Sequence, residues 1–160
     1  MSMIIDGTNG LTFNNATTQN SGGKVLQALN STFNTASNTS SNSYVDSGLT
    51  ISITPLFSTS KILVFANISG IYINNSSNFL QGQIVRNSTG LIGDFINVSG
   101  YNSTTSGTGG GTGSVTYLDS PATTSATTYK IQVKSATSAQ TVYWCNGSSY
   151  STITVMEIAQ

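Results

Sequence analysis

Apolar residues in this chain recur mostly at every second position. Leu49, Ile51 and Ile53 alternate with Thr50, Ser52 and Thr54, while Tyr129, Ile131 and Val133 alternate with Lys130 and Gln132. Successive side chains of an extended chain point to opposite sides, so this period predicts half-buried strands. Residues 61–73 form a nearly continuous apolar run, the pattern of a central strand covered on both faces. Pro55 has no N–H to give to a ladder and ends the strand before that run. Residues 79–85, 90–98, 115–118, 128–133, 141–145 and 152–158 are further β-branched and aromatic segments, and residues 87–90 read as a turn.

Elsewhere the pattern is weaker. Residues 4–13 read as two very short strands around Asp6-Gly7 and Asn9-Gly10, followed by a linker at 14–23 in which Ala16 is the one aliphatic residue. Val25, Leu26, Leu29 and Phe33 fit one stripe of a helix, yet the Asn, Ser and Thr between them are poor in helix interiors, so a first strand fits equally well. Residues 100–113 are almost wholly Gly, Ser, Thr and Asn, and Gly109-Gly110-Gly111 has too much backbone freedom for an interior strand; a long exposed loop is expected. Many short strands without a firm helix give an all-β, jelly-roll-like antiparallel β-sandwich.

Composition narrows the function. At 160 residues the chain fits one domain plus a short extension: a leading segment and linker over 1–20 and a β-sandwich domain over 21–160. Only 6% of residues are charged, histidine is absent, and the net charge is zero. The chain offers no basic stripe for nucleic acid. No apolar run is long enough for a membrane span, and the N-terminus lacks the features of a signal peptide. A neutral surface does not keep copies apart, so self-association is expected.

Candidate chemistry is sparse. Cys145 follows Tyr143-Trp144 in a strand pattern and has no histidine to activate it, so it reads as a small buried hydrophobe. The acids are dispersed, with Asp46 and Asp119 placed to stabilise turns, and no Asp-x-Asp spacing suggests a calcium loop. The glycine run at 107–113 lacks the Lys-Ser/Thr of a phosphate loop. No catalytic residue, metal site or cofactor is expected. Contact chemistry falls to exposed aromatics: Tyr101 with its neighbour Asn102, and Tyr150. Tyr44, Phe65, Tyr129 and Trp144 are expected in the core or at a subunit interface.

Several passages together resemble small tail-fibre and virion appendage proteins of bacteriophages: residues 4–15 (IIDGTNGLTFNN), 43–49 (SYVDSGL) through Ile53-Thr54-Pro55, 60–64 (SKILV), 116–121 (TYLDSP) and 152–159 (TITVMEIA). The resemblance implies a virion protein whose leading segment, with Ile4, Ile5, Leu11 and Phe13, attaches to the particle. The remainder would form a homotrimeric knob similar to C1q and tumour-necrosis-factor jelly rolls. Its partners would be tail, baseplate or capsid proteins and a host-surface glycan or protein. A capsid decoration or cement protein is the alternative within that class. A polysaccharide-degrading enzyme is the alternative outside it.

Overall fold

The structure is a computed structural model that describes residues 4–6, 10–12, 18–19, 25–73, 78–99 and 109–160. The strands, in chain order, are β1 (Ile4–Asp6), β2 (Gly10–Thr12), β3 (Thr18–Gln19), β4 (Val25–Phe33), β5 (Ser37–Thr39), β6 (Val45–Ile53) and β7 (Lys61–Ile73). After these come β8 (Phe79–Arg86), β9 (Thr89–Ser99), β10 (Gly109–Asp119), β11 (Thr127–Ser135), β12 (Val142–Trp144) and β13 (Ser151–Ile158). No α-helix occurs among the described residues. The chain is all-β, as the period-two pattern predicts, and every ladder among the described residues is antiparallel.

Two sheets carry the core. One has the order β6-β11-β8-β9; the other runs β4-β13-β7-β12-β5, with β10 on the opposite flank of β7. The inward positions of β6, β7, β8, β11 and β13 supply fully buried Leu49, Ile53, Ile62, Ile68, Ile84, Ile131 and Ile153. β-Branched side chains pack densely on a pleated surface, which explains the predominance of Ile. Tyr129 and Trp144 are buried as expected, whereas Phe65 is 39% exposed. β1, β2 and β3 form a separate small sheet in which Ile5 pairs with Leu11.

One open choice is settled and three sequence expectations change. Residues 25–33 are a strand, not a helix, because β13 offers them a long partner. Residues 109–113 are not loop: they pair with Ile68–Ile73 of β7 as the start of an edge strand, with a register shift between Gly111 and Gly113. A Cβ at Gly113 would lie 2.6 Å from the Ile96 side chain, so glycine here permits close approach of β10 to β9. Thr18 and Gln19, placed in the linker, pair with β2. Finally, β7 is central but buried on one face only, since its burial alternates along most of the strand and leaves Phe65 outward.

Asp46 and Asp119 also differ from expectation, because neither sits in a turn. Asp46 lies in β6, where Lys130 opposes Thr50 but Gln132 opposes Asp46, so β6 carries extra residues in a bulge. Gly48 occupies it at φ +89°, and a Cβ there would fall 2.4 Å from the Phe33 ring. The Ser47 hydroxyl donates to the Ile131 carbonyl at 2.7 Å, and the Trp144 indole N–H donates to the Ser47 carbonyl at 2.8 Å, so the bulge is hydrogen-bonded from both sheets.

Candidate functional site

The two outer surfaces of the sandwich differ in chemistry. On the β6-β11-β8-β9 sheet, Lys130 pairs with Asp46 at 2.8 Å, and the Gln132 amide donates to Asp46 at 2.7 Å. Lys130 above all holds the Asp46 carboxyl below the usual carboxylate range; burial opposes it, and Gln132 adds a smaller lowering. Lys134 lies 3.5 Å from Asp94 and 4.4 Å above the Tyr44 ring. The Tyr44 hydroxyl donates to Asp94. Burial first, then that hydrogen bond, pushes the phenol up to about 12.

The other sheet faces outward with hardly any charge. Cross-strand register sets Leu118, Leu63, Met156 and Ala28 in one row, Thr116, Phe65, Thr154 and Asn30 in the next, then Ser114, Asn67, Thr152 and Thr32. Leu118 is 48% exposed. Phe65, Asn67, Ser114, Thr116, Thr152 and Thr154 line a depression of about 230 Å³, in which the Asn67 amide donates to the Ser114 hydroxyl at 2.9 Å. One ring, one amide and several hydroxyls make a surface suited to packing and hydrogen bonding, with no group positioned to move a proton. A smaller depression of about 120 Å³ lies over the β6 bulge beside Asp46 and Lys130.

Two acids that are distant in sequence meet in the interior. Ile62 of β7 pairs with Asp119 of β10 on one side and Glu157 of β13 on the other, so both carboxylates share one row. Strand spacing puts their backbones roughly 10 Å apart. Asp119 receives one Arg86 guanidinium nitrogen at 2.9 Å to each oxygen and the Tyr129 hydroxyl at 2.6 Å. Burial, with the neighbouring Asp119 carboxylate, pushes the Tyr129 phenol well above its ordinary value. Glu157 is fully buried and receives the Gln27 amide at 2.6 Å, the Leu56 N–H at 2.8 Å and the Phe57 N–H at 3.3 Å. Burial alone would raise its pKa; these donors, Gln27 foremost, outweigh that and hold it below the ordinary 4.5. Both acids brace the end of the sandwich where β6 passes to β7. Their scattered positions in the sequence hid this pairing, which depends on the β10-β7-β13 register.

The remaining sequence candidates divide as follows. Tyr150 is 62% exposed, between a short turn at Asn146–Ser148 and β13, and its carbonyl accepts the Ser69 hydroxyl at 2.6 Å. Tyr101, Asn102 and Phe13 lie outside the described residues. The backbones of Ile4, Ile5 and Leu11 fall in β1 and β2. Ser99 of β9 pairs with Phe79 of β8, and Gly109 of β10 pairs with Ile73 of β7. Cys145 is fully buried at φ +53°, with its sulfur 3.0 Å from the Ser151 hydroxyl. Among the described residues no cluster of three or more His, Cys, Asp or Glu is placed to hold a metal ion, and no helix is long and apolar enough to cross a membrane.

Comparison with known proteins adds little to this geometry. No protein-family model matches the chain, and no curated protein matches it. Among solved structures, it is similar to the infectious bursal disease virus VP2 subviral particle at 15% identity and a TM-score of 0.40, covering 83% of this chain and 33% of that one. The Gt strain of the same virus gives 14% identity and a TM-score of 0.40, covering 82% and 32%. The chain thus spans about a third of the length of the structures it matches.

Proposed function

We propose that this chain is a non-enzymatic structural subunit of a bacteriophage particle, a homotrimer that decorates the capsid. The observation that carries the reading is the outer face of the β4-β13-β7-β10 sheet. Its central strand directs Leu63 and Phe65 outward, Leu118 and Met156 flank them, and Lys61 supplies the one charge along β7. A monomer gains nothing from apolar side chains held in water, whereas a subunit that packs against neighbours does. The resemblance of residues 4–15 and 43–64 to phage appendage proteins supplies the particle. Residues 1–20 are its attachment segment, and other virion proteins are its partners.

Labelling the chain in purified particles and locating it by electron microscopy tests the reading. Density on the capsid shell supports it, and absence from the particle refutes it. Density at the tail favours the second reading, a tail-fibre subunit contacting a host-surface glycan or protein, for which exposed Tyr150 is the supporting observation. In that case Tyr150→Ala lowers host adsorption while the trimer persists.

A further inference from the structure

Among the described residues, every open edge of the two core sheets but one is blunted. β5 has three residues, and β6 is broken by the Gly48 bulge and followed by Pro55. β9 carries register shifts against β8 and holds Asp94 at φ +52°, while β10 shifts register between Gly111 and Gly113, approaches β9 where Gly113 meets Ile96, and ends on the charged Asp119. Edge strands present unpaired N–H and C=O groups, and proteins protect them by shortness, bulges, proline or charge. β4 shifts register once, at Leu26 near its start, and has none of these over the seven residues from Gln27 to Phe33. Its nine residues, VLQALNSTF, contain no charge, proline or glycine, and Gln27 to Phe33 run in unbroken register with β13. No second partner strand lies on β4 among the described residues.

The surface beside this edge is apolar. Val25 is 50% and Leu29 38% exposed on the strand itself, and Leu56 and Phe57 are 59% and 56% exposed on the β6–β7 loop. Gln27 ties that loop to the strand by donating to the Thr54 carbonyl at 2.8 Å and to Glu157 at 2.6 Å. Lys130, Lys134, Asp46 and Asp94 all project from the other sheet.

We propose that β4 is an interface between two copies of this chain, paired antiparallel about a two-fold axis at Leu29. That register sets Leu29 against its counterpart and Gln27 against the partner's Ser31, so the unbroken stretch from Gln27 to Ser31 pairs with its own copy and the bulge at Leu26 falls outside it. The partner is argued from charge and area. An edge without charge has nothing to attract a charged segment, and a neutral chain does not repel its own copy. A large apolar residue exposes roughly 200 Å² when free, so the four half-exposed side chains contribute about 400 Å². The backbone edge with Ala28, Asn30 and Thr32 extends this toward the roughly 800 Å² per partner of a specific complex. The contact therefore sits at the small end of stable interfaces. A two-fold contact is separate from any three-fold one; with its axis crossing the three-fold at right angles it joins two trimers into a closed hexamer.

The test is native mass spectrometry and sedimentation of the full chain from about 1 to 200 µM, with hydrogen exchange on residues 25–33. The expected result is doubling of the smallest assembly with rising concentration, accompanied by slowed exchange along β4. Leu29→Lys and Val25→Lys, both at exposed positions, abolish the doubling, and Ser88→Lys in the β8–β9 turn leaves it intact. Circular dichroism confirms that each variant is folded. A trimer that never doubles overturns the inference and leaves the trimer reading standing; a dimer with no three-fold species does the reverse. β4 protection that is independent of concentration, or that appears only when another virion protein is added, also overturns it.

Discussion

Replacing Glu157 is the sharpest test of how this sandwich closes. The carboxylate is fully buried, and three N–H groups from β4 and the β6–β7 loop converge on it. Hydrogen bonds to a charged group contribute about 1.5–3 kcal/mol each, and stranding a buried donor costs about 1–3 kcal/mol. Glu157→Gln keeps the shape and one acceptor oxygen for Leu56 and Phe57, but sets an amide N–H₂ against the Gln27 amide. Turning the Gln27 amide to accept would place its oxygen against the Thr54 carbonyl, so one good interaction is lost either way. The expected cost is about 2 kcal/mol, rising to about 4 kcal/mol for Glu157→Ala, which strands all three donors.

The pH dependence follows with a definite sign. A carboxyl whose folded pKa lies below the unfolded value contributes stability that is present above the unfolded pKa and is lost as pH falls through the folded one. Glu157 is held below 4.5, so the wild-type loses this contribution as pH drops from about 5 through the folded pKa of Glu157. Asp46, also depressed, adds to the wild-type slope and is common to the variant. Urea unfolding at fixed protein concentration, at pH 7 and at half-unit steps down to about 3, measures both effects. The stability gap between wild-type and Glu157→Gln narrows as pH falls. Equal stability at pH 7, or a gap that widens in acid, refutes the bracing role.

Four further outcomes are expected. Gly70 has φ +61°, and a Cβ there would meet the Asn146 backbone N and O at 2.7 Å, so Gly70→Ala costs about 3 kcal/mol by thermal or urea unfolding. Gly48→Ala meets a side chain instead, the Phe33 ring, which can swing aside, and costs less, about 2 kcal/mol. Tyr129→Phe removes one of the donors to Asp119 and lowers stability by about 1–2 kcal/mol, with Arg86 still in place. Self-association through uncharged surface changes little between low and high sodium chloride and strengthens in sulfate, as sedimentation would show.

What the sequence revealed and hid follows from range. Strands with period-two alternation, such as β6 and β11, were legible because one face is buried and the other is wet. β5 was not, because Ser37, Asn38 and Thr39 carry no apolar residue and pair only because β12 lies alongside. The glycine run of β10 read as loop because its reason for being glycine, the Ile96 side chain, belongs to another strand. The Asp119 and Glu157 row depends on register across three strands, which local pattern does not contain. Of the candidate site residues, Tyr150 was placed correctly as exposed, since serine-rich neighbours keep a tyrosine out of the core. The misreading of residues 61–73 has a different origin. A strand covered on both faces and one covered on a single face can have the same apolar composition, so only the count of layers separates them.

That ambiguity links the composition to the proposed role. With charges on 6% of its residues, the chain stays hydrated chiefly through Asn, Ser and Thr, which hydrogen-bond to water without repelling a neighbour. Folding then sorts the few charges. Lys130, Lys134, Asp46 and Asp94 gather on one sheet, Arg86, Asp119 and Glu157 brace the interior, and the opposite sheet keeps Leu63, Phe65, Leu118 and Met156 outward. A subunit with two unlike faces has a defined orientation in an assembly, because turning it over would bury four charges and expose the apolar rows. The β-sandwich supplies this asymmetry without dedicated loops, since alternation along each strand assigns every second residue to the core and leaves the other free to determine what the surface meets.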